Sequence, residues 1–242
     1  MSTEKINLDL MASPWDEVFQ IAYILPKSIW MLIGGLMIQA HAHFAGLESR
    51  ATTDIDMLID VMTNKAYIGS VISGLEKMGY TPNEPGIRGS AFHRMTKDGL
   101  TVDVLIAEHL PSRKRIAASF NNWPMMEIPG GSQALDRQMT VILISKGIER
   151  EVRIPDLLGA LVLKAAAYTV DKRDRGRHLE DVAVIASLIT NHANELKRLQ
   201  GSDKKRLRSV MAALIDENHP AWLRLNEGQR LKGHDTLRIL TR

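Results

Sequence analysis

Apolar residues along the chain fall into short runs bounded by turn residues over the first two thirds, and into helix-length stretches from Pro155 onward. Ser13-Pro14-Trp15-Asp16 reads as a capped helix start, and the helix runs to about Leu25, where Pro26 stops it. Residues 28–33 read as a short buried strand and 36–45 as a helix that stops at Gly46. The β-branched and apolar run 54–61 reads as a buried strand. Two further strand-like runs, 88–96 and 100–107, meet at Lys97-Asp98-Gly99, and Asp-Gly is a strong hairpin signal. The apolar runs 125–128 and 140–145 are expected to extend the same sheet. Beyond them the pattern predicts helices over 155–169, 178–190, 192–200 and 203–216, with Gly201-Ser202-Asp203 as the break between the last two. Pro155 is read as a first-turn proline, and the tail from Glu217, weakly periodic, is expected to wrap the surface. The class is α+β, with a core over 1–153 and a helical C-terminal lobe over 154–242.

Composition narrows the classes of function. With 242 residues, 45% of them hydrophobic, the chain buries a sizeable core. It has no cysteine, which excludes disulfides, thiolate catalysis and cysteine-based zinc sites. No run approaches the ~20 apolar residues of a membrane span, and the start, Met-Ser-Thr-Glu-Lys-Ile-Asn-Leu-Asp, lacks a basic leader region. A cytoplasmic protein without membrane association is expected, a monomer more readily than an oligomer. The twelve methionines are core filler on this reading, and His41 and His43, two apart on a helix, face different ways.

The candidate chemistry begins at the mouth of the strand 54–61. Side chains in a strand alternate faces, so Asp54 and Asp56 point the same way, about 7 Å apart at ~3.4 Å per residue. Two carboxylates so placed suit Mg²⁺, or Mn²⁺ in its place, with phosphates completing the shell. Metals about 4 Å apart serve in-line phosphoryl displacement. Gly34 and Gly35 lie at a strand-to-helix turn, where missing side chains let backbone N–H groups approach phosphates. Neither a Walker A motif nor Gly-x-Gly-x-x-Gly is present. A third carboxylate, Asp103, sits inside the otherwise apolar run Thr101-Val102-Asp103-Val104-Leu105-Ile106, where an unpaired charge is costly. Its partner is either a metal, with Asp103 also serving as catalytic base, or a buried cation such as Arg94.

Gly34-Gly35, Arg50-x-x-Thr53-Asp54-x-Asp56 and the separate Asp103 together resemble the polymerase-β-type nucleotidyltransferase superfamily, over residues 33–107. Within it the chain is most similar to the AbiEii-like (MenT-type) toxins of bacterial toxin–antitoxin and phage-defence systems. The resemblance implies a nucleotidyltransferase core of a small mixed β-sheet flanked by helices. It also implies Mg²⁺ dependence and transfer of a nucleoside monophosphate from an NTP to an acceptor hydroxyl. Metal ligands would be Asp54, Asp56 and Asp103, while Gly34, Gly35, Arg50 and Thr53 would serve the nucleotide. More loosely, it extends to a lysine in a buried helix, then a basic stretch, then an aspartate. Those positions are Lys164, the run Lys172-Arg173-Asp174-Arg175-Gly176-Arg177-His178, and Asp181. Lys164 would reach the triphosphate, unless it merely snorkels at a helix edge. Asp181 either contacts nucleotide or orients Lys172, Arg173 or Lys164. The family often has an acidic residue where His178 stands.

Charge bears on the acceptor. The net charge is +3 and the isoelectric point near 9.1, with cations clustered at Arg113-Lys114-Arg115, at 172–177 and at Lys204-Lys205-Arg206-Leu207-Arg208. Such clusters suit phosphate contacts to RNA, or are simply solvated helix faces. By the family resemblance the acceptor is the 3′ end of tRNA, and a separately encoded antitoxin neutralises the toxin. An antibiotic-modifying nucleotidyltransferase shares the same core chemistry. A catalytically silent nucleotide- or RNA-binding homologue is the reading from outside the enzymes.

Overall fold

The computed structural model describes residues 4–8, 11, 13–61, 63–87, 90–108 and 118–242. Its central sheet is built from β2 (Trp30–Ile33), β3 (Asp54–Ile59), β6 (Leu100–Ala107), β5 (Arg94–Lys97) and β4 (Thr81–Asn83), side by side in that order. β2 runs antiparallel to β3, β3 parallel to β6, and β6 antiparallel to β5. The sheet is therefore mixed, flanked by helices, and the class is α+β as expected. The Asp98-Gly99 turn joins β5 to β6 with both residues at positive φ, 47° and 83°, the backbone a two-residue hairpin requires. β9 (Glu127–Ile128) adds to the far end of β6, as expected for 125–128.

The run 140–145 does not join this sheet. It belongs to β10 (Gln138–Ser145), which pairs with β1 (Glu4–Asn7) and β11 (Ile148–Pro155) in a separate three-stranded sheet. The guanidinium of Arg153 on β11 ties the two sheets, donating to the carbonyls of Trp30 and Ser28. A short hairpin, β7 (Ser119–Phe120) with β8 (Trp123–Pro124), completes the strands.

Helices cover both sheets: α1 (Trp15–Ile24), α2 (Gly34–Phe44), α3 (Tyr67–Lys77), α4 (Gly131–Asp136), α5 (Leu157–Val170), α6 (Gly176–Leu188), α7 (His192–Arg198), α8 (Asp203–Ala213) and α9 (Glu227–Leu240). α3 is absent from the expected elements. α1 starts at Trp15 with Pro14 in the cap position and no side-chain cap, so Ser13 does not play that part. Pro155 ends β11 instead of opening α5; the cap is Asp156, whose carboxylate accepts from the Gly159 N–H at 2.9 Å. The tail from Glu217 is not a surface wrap. Asn226 and Gln229 form a capping box that starts α9, whose Leu237 and Leu240 are buried, and Trp222 is buried just before it.

Alternation across the central strands sorts their side chains onto two faces. Ile55, Met57 and Ile59 of β3, with Val102, Val104 and Ile106 of β6, join the main core, a single cluster reaching from Ile6 to Leu240. That core draws on both sides of residue 153. The opposite face carries Asp54, Asp56 and Asp103 near the strand starts. Beside them on β2 and further along β3 and β6 lies a small apolar cluster of Met31, Ile33, Leu58, Leu105 and Ala107, covered by Leu163 of α5. One sheet face is thus charged at one end and dry at the other.

Candidate functional site

The charged end of that face opens into a cleft lined by Asp54, Asp56, Asp103, Gly34, Gly35, Arg50, Thr52, Arg94, Lys164, Arg177 and His178 among others. The pairing register explains how residues so distant in sequence meet. Ile33 lies opposite Asp56, Asp56 opposite Asp103, and Asp103 opposite Arg94, so four neighbouring strands each place one residue in a single row. Asp54 follows on the Asp56 side of β3, two residues away and on the same face. The carboxylates of Asp54 and Asp56 have neither a hydrogen bond nor an ion pair among the described residues. Asp103 has the other of its two expected kinds of partner: Arg94 donates Nε and Nη2 to the two carboxylate oxygens, each at 2.9 Å.

At the turn into α2, Gly34 has φ +71°, and a Cβ built there would lie 1.7 Å from Asp56 Oδ2. A Cβ on Gly35 would meet Thr52 at 2.8 Å. The two glycines therefore make room for the Asp56 carboxylate and for Thr52, a local need the phosphate reading did not anticipate. The threonine in the cleft is Thr52, while Thr53 is exposed and does not line it.

The facing wall comes from α5 and the turn into α6. Lys164, on an almost wholly buried helix, is itself buried, and its ammonium meets Asp181 Oδ2 at 2.7 Å. This is no snorkelling lysine. Asp181, buried on α6, also accepts from Arg50 Nε at 3.0 Å and Nη2 at 3.3 Å. It orients Lys164 and Arg50, and does not itself line the cleft. The basic turn is organised by Asp171, which accepts from the N–H groups of Arg173 and Asp174, from Arg177 Nη2 and from His178 Nε2 at 3.0 Å. Of the basic run, Arg177 reaches the cleft; Lys172 and Arg173 are exposed and do not. Arg175 stacks its guanidinium 4.1 Å from the Tyr168 ring centroid. A third, aliphatic side is formed by Leu105, Ile128, Pro129, Leu163, Ala167 and Val170.

Arg94, Thr52, Arg177 and this aliphatic side were not among the expected site residues. Arg94 alone had a plain signal as the partner of Asp103, since counting back from the Asp98-Gly99 turn sets it opposite. The other basic clusters lie apart from the cleft or outside the described residues. Arg206 is buried against Glu108, Lys204 and Arg208 reach the carbonyls of Arg242 and Thr241, and 113–115 fall outside the described residues. His41 is buried away from the cleft, its Nε2 against the Pro155 carbonyl at 2.9 Å.

Electrostatics follow from this packing. Burial, reinforced by the neighbouring charges of Asp103 and Asp54, raises the Asp56 carboxyl above its usual range, and the Lys164 ammonium only partly offsets this. The His178 imidazole is lowered by burial and by Lys164, so it is neutral at pH 7; its Nδ1 is buried without a partner. Asp171 is pushed far below its ordinary value, first by the Arg173 N–H and then by His178.

Hard carboxylate oxygens of like charge on one strand face, half-buried and lining one cleft, are the donor chemistry a divalent cation relieves. Asp54 and Asp56 fit such an ion. Asp103 does not as it stands, because Arg94 takes both its oxygens, and among the described residues no three acidic or histidine side chains are grouped to hold a metal ion. Comparison of the chain with protein-family models, with curated proteins and with solved structures finds no match in any of the three. Among the described residues no helix is long and apolar enough to cross a membrane.

Proposed function

We propose that the protein is a divalent-cation-dependent nucleotidyltransferase that moves a nucleoside monophosphate from an NTP to an acceptor hydroxyl. One observation carries this: a single cleft joins open carboxylates on β3 to fixed cations on α5 and α6, with an aliphatic side between them. A nucleotide has the same three parts, a metal-seeking polyphosphate, its anionic charge, and an apolar base face. In the transfer, the acceptor oxygen bonds to the α-phosphorus, the bond to the pyrophosphate oxygen breaks, and the acceptor's hydroxyl proton passes to solvent water. Mg²⁺ or Mn²⁺ held by Asp54 and Asp56 would neutralise the reacting phosphate and lower the acceptor's pKa. Lys164, fixed by Asp181, and Arg177 present positive charge to the departing pyrophosphate. Ile128, Leu163, Ala167 and Val170 offer the base apolar contact without an aromatic platform.

Exposed Lys172, Arg173 and Arg175 precede Arg177 in the chain, outside the cleft lining, and favour a polyanionic acceptor. The assignments of that acceptor as the tRNA 3′ end, of the protein as an AbiEii-like toxin with a cognate antitoxin, and of a cytoplasmic site of action rest on the motif resemblance. A silent nucleotide binder is a second reading, favoured by the hold of Arg94 on Asp103.

The test is incubation with Mg²⁺ and each labelled NTP, with total tRNA in one arm and aminoglycosides in another. Label on tRNA is expected, and label on aminoglycoside instead would move the protein to the antibiotic-modifying class. Nucleotide binding without transfer to either acceptor supports the silent reading. A wild type that labels tRNA yet leaves growth unaffected on expression would remove the toxin assignment.

A further inference from the structure

Arg94 is the one member of the four-strand row that brings positive charge into it. It stands directly opposite Asp103 on the hairpin, as Asp103 stands opposite Asp56, and paired strands lie only about 4.8 Å apart. Its guanidinium grips Asp103 with two parallel N–H···O bonds, the most directional form of ion pair available to a carboxylate. Arg94 therefore sits in the field of all three carboxylates. A second ion on Asp103 would have to displace this fork and then share the row with the cation it had displaced.

In the strand row itself, Arg94 is the cation that faces the carboxylates across the sheet, and it already occupies both oxygens of Asp103. We propose that Arg94 takes the place of a second divalent cation, so that the cleft binds a single ion on Asp54 and Asp56 rather than two ions shared among three carboxylates. This rests on the nucleotidyltransferase reading for the presence of the first ion. Lys164 stands outside the strand row, on the facing helix, with its ammonium against Asp181 at 2.7 Å. Arg94 is suited to it, because its side chain is 39% exposed and its removal takes little from the core.

The experiment is a count of bound Mn²⁺ on the full chain by electron paramagnetic resonance of the free ion. The wild type is expected to bind one equivalent, and Asp54→Asn or Asp56→Asn to weaken it at least tenfold. Asp103→Asn in the wild-type background should leave that equivalent in place with affinity changed less than threefold. Arg94→Gln should admit a second equivalent, and Arg94→Gln combined with Asp103→Asn should return the count to one. Two equivalents on the wild type, or tenfold weakening of the single ion by Asp103→Asn, overturns the role of Arg94 while leaving the nucleotidyltransferase reading intact. A folded Arg94→Gln that still binds one ion overturns it as well. No Mn²⁺ on wild type or variant overturns both. The Asp103→Asn arm decides the matter even if Arg94→Gln does not fold.

Discussion

At its N-terminal end, helix α5 is tied down by carboxylates that each have a cation inside the protein. Asp156 pairs with Arg198, and Arg137 joins the Arg198 carbonyl to Asp203 at 2.7 Å, with Arg137 and Asp203 both buried. Toward its C-terminal end the same helix faces Asp54 and Asp56, which have no such partner among the described residues. The two ends use the same residue types. Where charges hold the helices together, each carboxylate has a cation against it; where a ligand is expected, the carboxylates are left open and one of them is raised in pKa by burial and then by its acidic neighbours. Charge left uncompensated at a fixed place marks the site better than charge density does.

Several substitutions would break this contrast, and the largest effect is expected at the open end. Asp56→Asn should lower nucleotidyl transfer by on the order of 10³-fold, measured as label incorporated per minute. It should also stabilise the metal-free protein. A folded-state pKa raised above the ordinary 3.8 means that stability is lost as pH rises through that window, so the wild type carries the deficit at pH 7 and asparagine removes it. Melting temperatures should show a gain at pH 7 that disappears below about pH 3.8.

Asp203→Ala strikes the closed end and should cost about 3–5 kcal/mol in urea unfolding by leaving Arg137 buried and unpaired. Any nucleotide binding measured on the folded fraction should be unchanged. Lys164→Met should weaken affinity for inorganic tripolyphosphate by about tenfold in calorimetry, since Asp181 retains Arg50 and the wall keeps its shape. The smallest effect concerns the imidazoles. His41 and His178 are both lowered below the ordinary 6.5, so the unfolded chain binds more protons below that pH and stability falls as pH drops through it. His41→Gln should flatten the decline in chemical-denaturation midpoints between pH 7 and 5.

Much of the acidic row was legible in the sequence because two simple periodicities set it. Strand alternation puts Asp54 and Asp56 on one face, and the Asp98-Gly99 turn fixes Asp103 against its hairpin partner. The partner itself, Arg94 rather than a metal, was one of two open choices, and side-chain geometry decides between them. The opposite wall was read at coarser grain. Lys164 and Asp181 meet, but the loops that precede β3 and α6 have no period to place their residues, so the cleft takes Thr52 instead of Thr53, and Arg177 in the first turn of α6 instead of Lys172 and Arg173. The separate sheet of β1, β10 and β11 was missed because an apolar run does not announce which sheet it joins. Helix α9 did carry a local signal in Asn226-x-x-Gln229, outweighed by the proline, tryptophan and glycine around it.

Arg94 and Asp103 are 9 positions apart, whereas Arg50 and Asp181 are separated by 131. In folding, the hairpin contact closes a short loop, while the contact that steadies Lys164 must wait for a long one. Neither stretch of chain contains the cleft by itself. A chain cut between β6 and α5 would part Asp54, Asp56 and Asp103 from Lys164 and Arg177 and yield two fragments without activity, and its return on mixing would report reassembly of the whole core.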